Sequence, residues 1–186
     1  MYYHKSFLRA MLAVFLFLPL TAYSERADAV KTADTKSQQK VSLPATRQIV
    51  DATTFSPVVA EFLQQPLAAQ LAMINPSGSP QMTIMWFKLE DGALLFTTTT
   101  DRVKFRNFQK DPRATVAIMD PNNMYKWVVV HGKMSVDKRD PAAFYRGLAE
   151  HYLEAKSLVE WQKTALMENR TVLRLTPTQI RTMGFP

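Results

Sequence analysis

The stretch TTTTDRVKFRNFQKDPR, from Thr97 to Arg113, gathers the side chains in this chain best suited to hold an anion. Thr97 and Thr98 lie at the end of an apolar run, Leu94 to Phe96, and Arg102, Lys104 and Arg106 follow closely. Hydroxyls, the free N–H groups of a helix start and three cations in one loop supply backbone donors, dipole and charge for a phosphate. The same residues would also make an ordinary solvated basic helix face, and no glycine-rich cradle accompanies them, so pattern alone leaves both readings open. Other reactive groups are sparse. Cysteine is absent, and the histidines, His4, His131 and His151, show no ligand spacing, so no metal site is expected. No serine sits in a nucleophile elbow and no carboxylate pair stands out, so no catalytic side chain is assigned. Trp86 and Trp127 suit either stacking on a flat ring or filling a core, and Trp161 suits packing between C-terminal helices.

These groups need positioning elements. A helix is expected from Thr100 or Asp101, either of which can cap it, with Phe105 and Phe108 turned to the core and Pro112 ending it. Before it, Ala93 to Thr98 reads as a strand, reached through the Glu90-Asp91-Gly92 turn from another strand, Gln81 to Leu89. That strand carries Met82, Ile84 and Trp86 on one face. Leu67 to Ile74 reads as the first strand, joined to it by the turn-rich NPSGSP, and Ser56-Pro57 opens a short helix ending before Pro66. After the basic stretch, strands are expected at Arg113 to Met119 and Tyr125 to Val136, with Gly132 at a bulge or close approach. Asp140-Pro141 should cap a helix through Tyr152. A further helix over Ser157 to Met167, a last strand over Thr171 to Leu175 and an unassigned tail complete the chain. Strands in hairpin order with few helices describe an antiparallel barrel, mainly β with flanking helices.

The 186 residues allow one domain plus appendages, and 47% hydrophobic content is enough for a core. A net charge of +7 points to an anionic partner. Residues 1–24 read as a secretory signal: Lys5 and Arg9, an apolar run from Met11 to Leu20, then Ala22 and Ser24 as small residues. An uncleaved membrane anchor and a misplaced start are the alternatives. Residues 25–53 read as a polar linker, leaving 54–186 as the folded domain. Export, to the periplasm or beyond, argues against nucleic acid as the partner of the basic helix, and no aromatic-rich surface accompanies the charges.

From Pro80 to Phe185 the chain resembles the flavin-binding split β-barrels related to pyridoxamine 5′-phosphate oxidase, and within them the branch described as dependent on the deazaflavin coenzyme F420. The match is carried by PQMTIMWF, by LLFTTTTDRVKFRNFQKDPRATV, by WVVVHGKMSV and by the closing RLTPTQIRTMGF. The resemblance implies an antiparallel FMN-binding split β-barrel. It also implies a phosphate-bearing redox cofactor, FMN or F420, with haem as the lesser alternative because a haem-utilisation branch shares the barrel. The phosphate arm would meet Thr97, Thr98, Arg102, Lys104 and Arg106. The ring would lie across Thr83, Ile84, Met85 and Trp86, with Trp127 contributing from the strand after the Asp120 turn. A homodimer, a small-molecule substrate and hydride transfer by the cofactor follow from the same likeness. Met82 stands where the pyridoxamine phosphate oxidases place an arginine, and their C-terminal substrate segment is missing, which speaks against vitamin B6 oxidation.

Overall fold

Among the described residues, eight strands, most of them with alternating burial, form one antiparallel sheet. The computed structural model describes residues 49–165 and 168–186, all within one unit, Val41–Pro186. The expected leader and most of the linker, residues 1–48, lie outside the described residues. In chain order the elements are β1 (Val50–Ala52), α1 (Pro57–Phe62), β2 (Ala69–Ile74), β3 (Pro80–Met85), β4 (Lys88–Glu90), β5 (Ala93–Thr99), α2 (Val103–Lys110), β6 (Arg113–Asp120), β7 (Asn123–Asp137), α3 (Pro141–Tyr152), α4 (Ala155–Thr164) and β8 (Arg170–Met183). The strand order is β3-β2-β6-β7-β8-β5-β4, with β1 added to the second half of β8. Every pairing is antiparallel. Only Trp86 and Phe87 separate β3 from β4, the two ends of that order, so the chain itself bridges the open side of the barrel.

Strand alternation sends Leu71 and Met73, Val116 and Ile118, Val128 and Val130, Leu94 and Phe96, and Leu173 and Leu175 into one interior cluster. Each such side chain taken fully out of water contributes about 1.5–3 kcal/mol, which makes this cluster the main source of stability. Phe105 and Phe108 of α2 pack against the same cluster, as their spacing predicts. A second, smaller cluster (Leu95, Phe144, Leu148 and Val172) lies between the outer face of β5 and β8 and helix α3, with Trp86 and Tyr152 packed on it. Helix α3 starts as expected: the Asp140 carboxylate accepts from the Ala142 N–H at 2.9 Å and Pro141 occupies the first turn.

Several boundaries differ from expectation, each for a local reason. The stretch Gln81 to Leu89 is not one strand, because the chain bends at Trp86-Phe87. There the Tyr152 hydroxyl accepts from the Phe87 N–H (3.2 Å) and donates to the Leu67 carbonyl (2.8 Å), doing for the bend what a sheet neighbour would do. The C-terminal tail is not separate from the last strand: β8 continues through Pro177 to Met183. The register shifts between His131 and Gly132, which pairs with Pro177, so the missing proline N–H falls at an irregularity of the ladder. Gly132 is obligatory there, since a Cβ would come 2.3 Å from the Thr176 carbonyl oxygen. Val50–Ala52, assigned to the linker from composition, pairs with Ile180 to Thr182 as β1. Helix α4 spans Ala155–Thr164, starting two residues ahead of the expected Ser157.

Candidate functional site

Helix α2 does not begin at Thr100 or Asp101. Its cap residue is Arg102, extended in backbone and with no side-chain cap, and the first turn holds no acidic residue. Asp101 is drawn off by its neighbour: the Thr99 hydroxyl donates to its carboxylate, which lies below the usual aspartate range mainly for that reason. The Phe105 N–H donates to the Arg102 carbonyl at 3.1 Å, which leaves the Val103 and Lys104 N–H groups of the first turn without an acceptor inside the helix, in a stretch that carries Arg102, Lys104 and Arg106. An arginine at this end also opposes the helix dipole unless an anion sits beside it.

Lys104 stands one residue into the helix and is half-buried, while Arg102 and Arg106 are exposed. Burial first, and repulsion from Arg102 second, hold the Lys104 ammonium below the usual lysine range, and no carboxylate offsets either effect. Such a group gains from a nearby anion. Arg106 is partly committed, donating from Nη1 to the Asp101 carbonyl and so bracing the loop. Asn107 is structural: it is buried and donates to Asn75 Oδ1 at 2.8 Å, pinning α2 to the β2–β3 turn. Arg113 is tied to Asp111 through two donors, at 3.0 Å from Nε and 2.6 Å from Nη2, and sits apart from the cationic loop in role.

The expected contacts on the strands divide by face. Thr97 shares its outward face with Leu95 and Thr99 and donates to the Thr171 carbonyl at 3.3 Å. Thr98 is buried, and its partner across the ladder is Thr171, so its side chain follows Leu94 and Phe96 inward. On β3, Met85 packs against the interior cluster, and Thr83 pairs with the buried Leu71 and accepts from Gln81 Nε2 at 2.6 Å. The outward residues of that strand are Met82 and Ile84, 64% and 61% exposed. Both were expected on one face of the strand, and of the two only Ile84 was anticipated as a ring contact. Trp86 is stacked on Tyr152, centroids 5.2 Å apart at 15°, and packs on the cluster under α3. Trp127 is half-buried on β7, paired with Met119 and Met183, with β8 lying between its strand and β5. Thr97, Arg102, Lys104 and Arg106 thus lie in one segment, and the ring-contact candidates are distributed over β3, the bend that follows it and β7.

One cation was not anticipated. Arg170 opens β8 directly across from Thr99, and Thr100 N–H donates to the Asn169 carbonyl at 2.9 Å. Its guanidinium carbon lies 3.3 Å from the centroid of the Tyr145 ring. Nothing in the local sequence marks it, because Glu168-Asn169-Arg170 reads as an ordinary polar turn; only the β5–β8 pairing carries it to the loop.

A cavity of about 330 Å³ lies elsewhere, lined by Ile74, Pro80, Arg113, Thr115 and His131. His131 shares a 2.9 Å hydrogen bond between Nδ1 and the Thr115 hydroxyl, and exposed His151 packs edge-on against Tyr152. Among the described residues no group of three or more His, Cys, Asp or Glu is placed to hold a metal. Nor is any helix among them long and apolar enough to cross a membrane.

An antiparallel barrel split at β3 and β4, with a helix after its fifth strand, is a split β-barrel. The chain belongs to the pyridoxamine 5′-phosphate oxidase family, whose model matches residues 55–184. It is similar to an F420 reductase, with 32% identity over 64% of this chain and 93% of that one and a TM-score of 0.56. A conserved hypothetical protein from Mycobacterium tuberculosis is 23% identical over 73% of this chain and 92% of that one, with a TM-score of 0.56. The heme storage protein HutZ from Vibrio cholerae is 18% identical over 71% and 96%, with a TM-score of 0.53. The last two likenesses establish the fold alone. No curated protein matches the chain. The fold is therefore one that serves an F420 reductase and a heme storage protein alike.

Proposed function

We propose that this chain is an oxidoreductase that uses FMN or coenzyme F420, held by its phosphate end at the start of α2, to act on a small-molecule substrate. The observation that carries this reading is the uncapped first turn of α2, without an acidic residue and flanked by Arg102, Lys104 and Arg106. The donor set fits a phosphate: backbone N–H groups, a half-buried ammonium and guanidinium groups, with the one adjacent carboxylate, Asp101, engaged by Thr99. Met82 and Ile84, exposed on β3, suit the flat apolar ring that such a cofactor carries.

When bound, the ring supplies the hydride chemistry. The chain's residues do the rest. Lys104 and Arg102 neutralise the phosphate and fix that end of the molecule. Met82 and Ile84 keep water from one side of the ring. Asp101 remains ionised near neutral pH, its carboxyl lowered by the Thr99 hydroxyl, so it is not a proton donor to substrate.

The same observation supports a second reading, an exported carrier of flavin or haem without turnover, since the loop offers charge but no acid–base pair. A homodimer belongs to the proposal as well. It is supported by a continuous outward face on which exposed Met82 and Ile84 of β3 stand beside Ala72 and Gln70 of β2, with exposed Ile74 at the end of β2 and exposed Met119 on β6. Export is carried over from the leader.

The test is the absorbance and fluorescence spectrum of the protein purified from its own host, followed by addition of a reductant and then candidate acceptors. A flavin or deazaflavin spectrum that bleaches and recovers with a substrate supports the oxidoreductase. A spectrum that never responds to any donor supports the carrier, and a protein binding none of the three cofactors overturns both.

A further inference from the structure

The three cations above share one segment, but the sheet brings a fourth to them from the far end of the chain. The β5–β8 ladder pairs Thr99 with Arg170, and Thr97 with Val172, on the outward face that α3 covers. The turn before β8 is fixed as well: Asn169 takes a left-handed backbone (φ 54°) and its carbonyl accepts from Thr100 N–H at 2.9 Å. Two residues on, the Arg102 N–H donates to the Thr99 carbonyl at 3.2 Å, so the cap of α2 and the start of β8 are built around the same threonine.

Arg170 is also held. Its guanidinium carbon lies 3.3 Å from the Tyr145 ring centroid. Tyr145 is itself braced by Trp161 of α4, whose ring meets it edge-on at 4.7 Å and 73° and whose Nε1 donates to the Tyr145 hydroxyl at 3.2 Å. A guanidinium held over a ring keeps the planar fork of donors that engages phosphate oxygens in pairs. Burial first, and the proximity of Arg102 among the further causes, lower the proton affinity of Arg170. It remains a cation at neutral pH, and Arg102 acts on it as a like charge. An anion between them relieves that repulsion.

We infer that Arg170, presented by Tyr145 and Trp161, is a fourth contact for the phosphate end of the cofactor and that α3 and α4 set its position. This rests on the oxidoreductase reading, which locates the phosphate at the start of α2. It adds that the C-terminal half of the domain completes the site and that Tyr145 and Trp161 are positioning residues.

The experiment is a binding titration of FMN against riboflavin, which has the same ring without the phosphate, and of F420 against its phosphate-free deazaflavin. The full chain is compared with Arg170→Gln, Tyr145→Leu, Tyr145→Phe and Lys104→Ala. Arg170→Gln should weaken the phosphate-bearing ligand by about tenfold, the worth of one charge-assisted contact at the lower end, and leave the phosphate-free ligand unchanged. Tyr145→Leu should reproduce that loss with the arginine still present, and Tyr145→Phe, which keeps the stacking face, should not. Equal weakening of both ligands by Arg170→Gln would mean that the stack only supports the helices, and the inference falls. Loss in Lys104→Ala with none in Arg170→Gln overturns the inference and leaves the oxidoreductase reading standing. Failure of the parent chain to bind either phosphate-bearing ligand overturns both. Should Arg170→Gln not fold, Arg170→Lys is read by the same rule, phosphate-selective loss supporting the inference and equal loss removing it.

Discussion

Replacing Lys104 with alanine separates a binding role from a surface role, because the structure makes opposite demands on the two. As a surface lysine, its removal should change nothing. As a phosphate contact, it should cost one charge-assisted hydrogen bond, about 1.5–3 kcal/mol, and so raise the Kd for FMN or F420 by about 10- to 150-fold. The half-buried position and the absence of an offsetting carboxylate place the effect toward the upper part of that range, since solvent screens the group less than it screens Arg102 or Arg106. The free protein should not be destabilised, because the substitution removes a charge that burial and Arg102 both disfavour. The pH dependence has a definite sign. In the free protein Lys104 loses its proton before the ordinary value of 10.5 is reached, so the unfolded chain holds the proton to higher pH. Its contribution to stability therefore rises with pH across that window, and the alanine variant lacks the rise. Phosphate affinity runs the other way and falls as the ammonium deprotonates. Calorimetric titration of FMN and riboflavin from neutral to alkaline pH, with thermal melts of both proteins, reads all of this. Equal weakening of FMN and riboflavin, or no change in either, refutes the reasoning.

Other expectations concern the scaffold that presents the loop. Gly132→Ala forces a Cβ toward the Thr176 carbonyl at 2.3 Å, so it should cost about 1–3 kcal/mol in urea unfolding or prevent folding. A fully stable variant would show that the bulge adapts. Tyr152→Phe keeps the stack on Trp86 but leaves the Phe87 N–H without its hydroxyl acceptor, which should cost about 1–3 kcal/mol. In the parent protein burial pushes the Tyr152 hydroxyl up to about 12, so ultraviolet titration should show a phenol ionising above the ordinary value of 10.0, a step that the phenylalanine variant lacks. At the loop's far end, hydrogen bonds from Arg113 hold the Asp111 carboxyl at about 2. Arg113→Ala should return it toward the ordinary 3.8 in a carboxylate NMR titration; the small stability it adds is lost only as pH falls toward 2.

Much of the barrel was legible because apolar alternation and turn chemistry agree: Asp140-Pro141, Gly132 and the Phe105–Phe108 pair each do what their types require. What was not legible depends on residues distant in sequence. The last strand was expected to end at Leu175, yet it runs on to Met183, with Pro177 accommodated at the irregularity beside Gly132 on the neighbouring strand. The break at Trp86-Phe87 is closed by a hydroxyl from Tyr152, which no reading of residues 81–89 contains. At the candidate site the cationic segment was visible as a charge pattern. The inward turn of Thr83, Met85 and Thr98 was not, because two faces of a strand look alike until its register is known. Arg170 was invisible for the same reason, since only strand pairing brings it to Thr99.

The account stands most directly on where the phosphorus of a bound cofactor lies. A crystal structure of the chain with FMN or F420 should show phosphate oxygens within hydrogen-bond distance, about 3 Å, of the first-turn N–H groups of α2 and of Lys104 Nζ. Density that places the phosphate away from α2, with Arg102 and Lys104 extended into solvent, would contradict it.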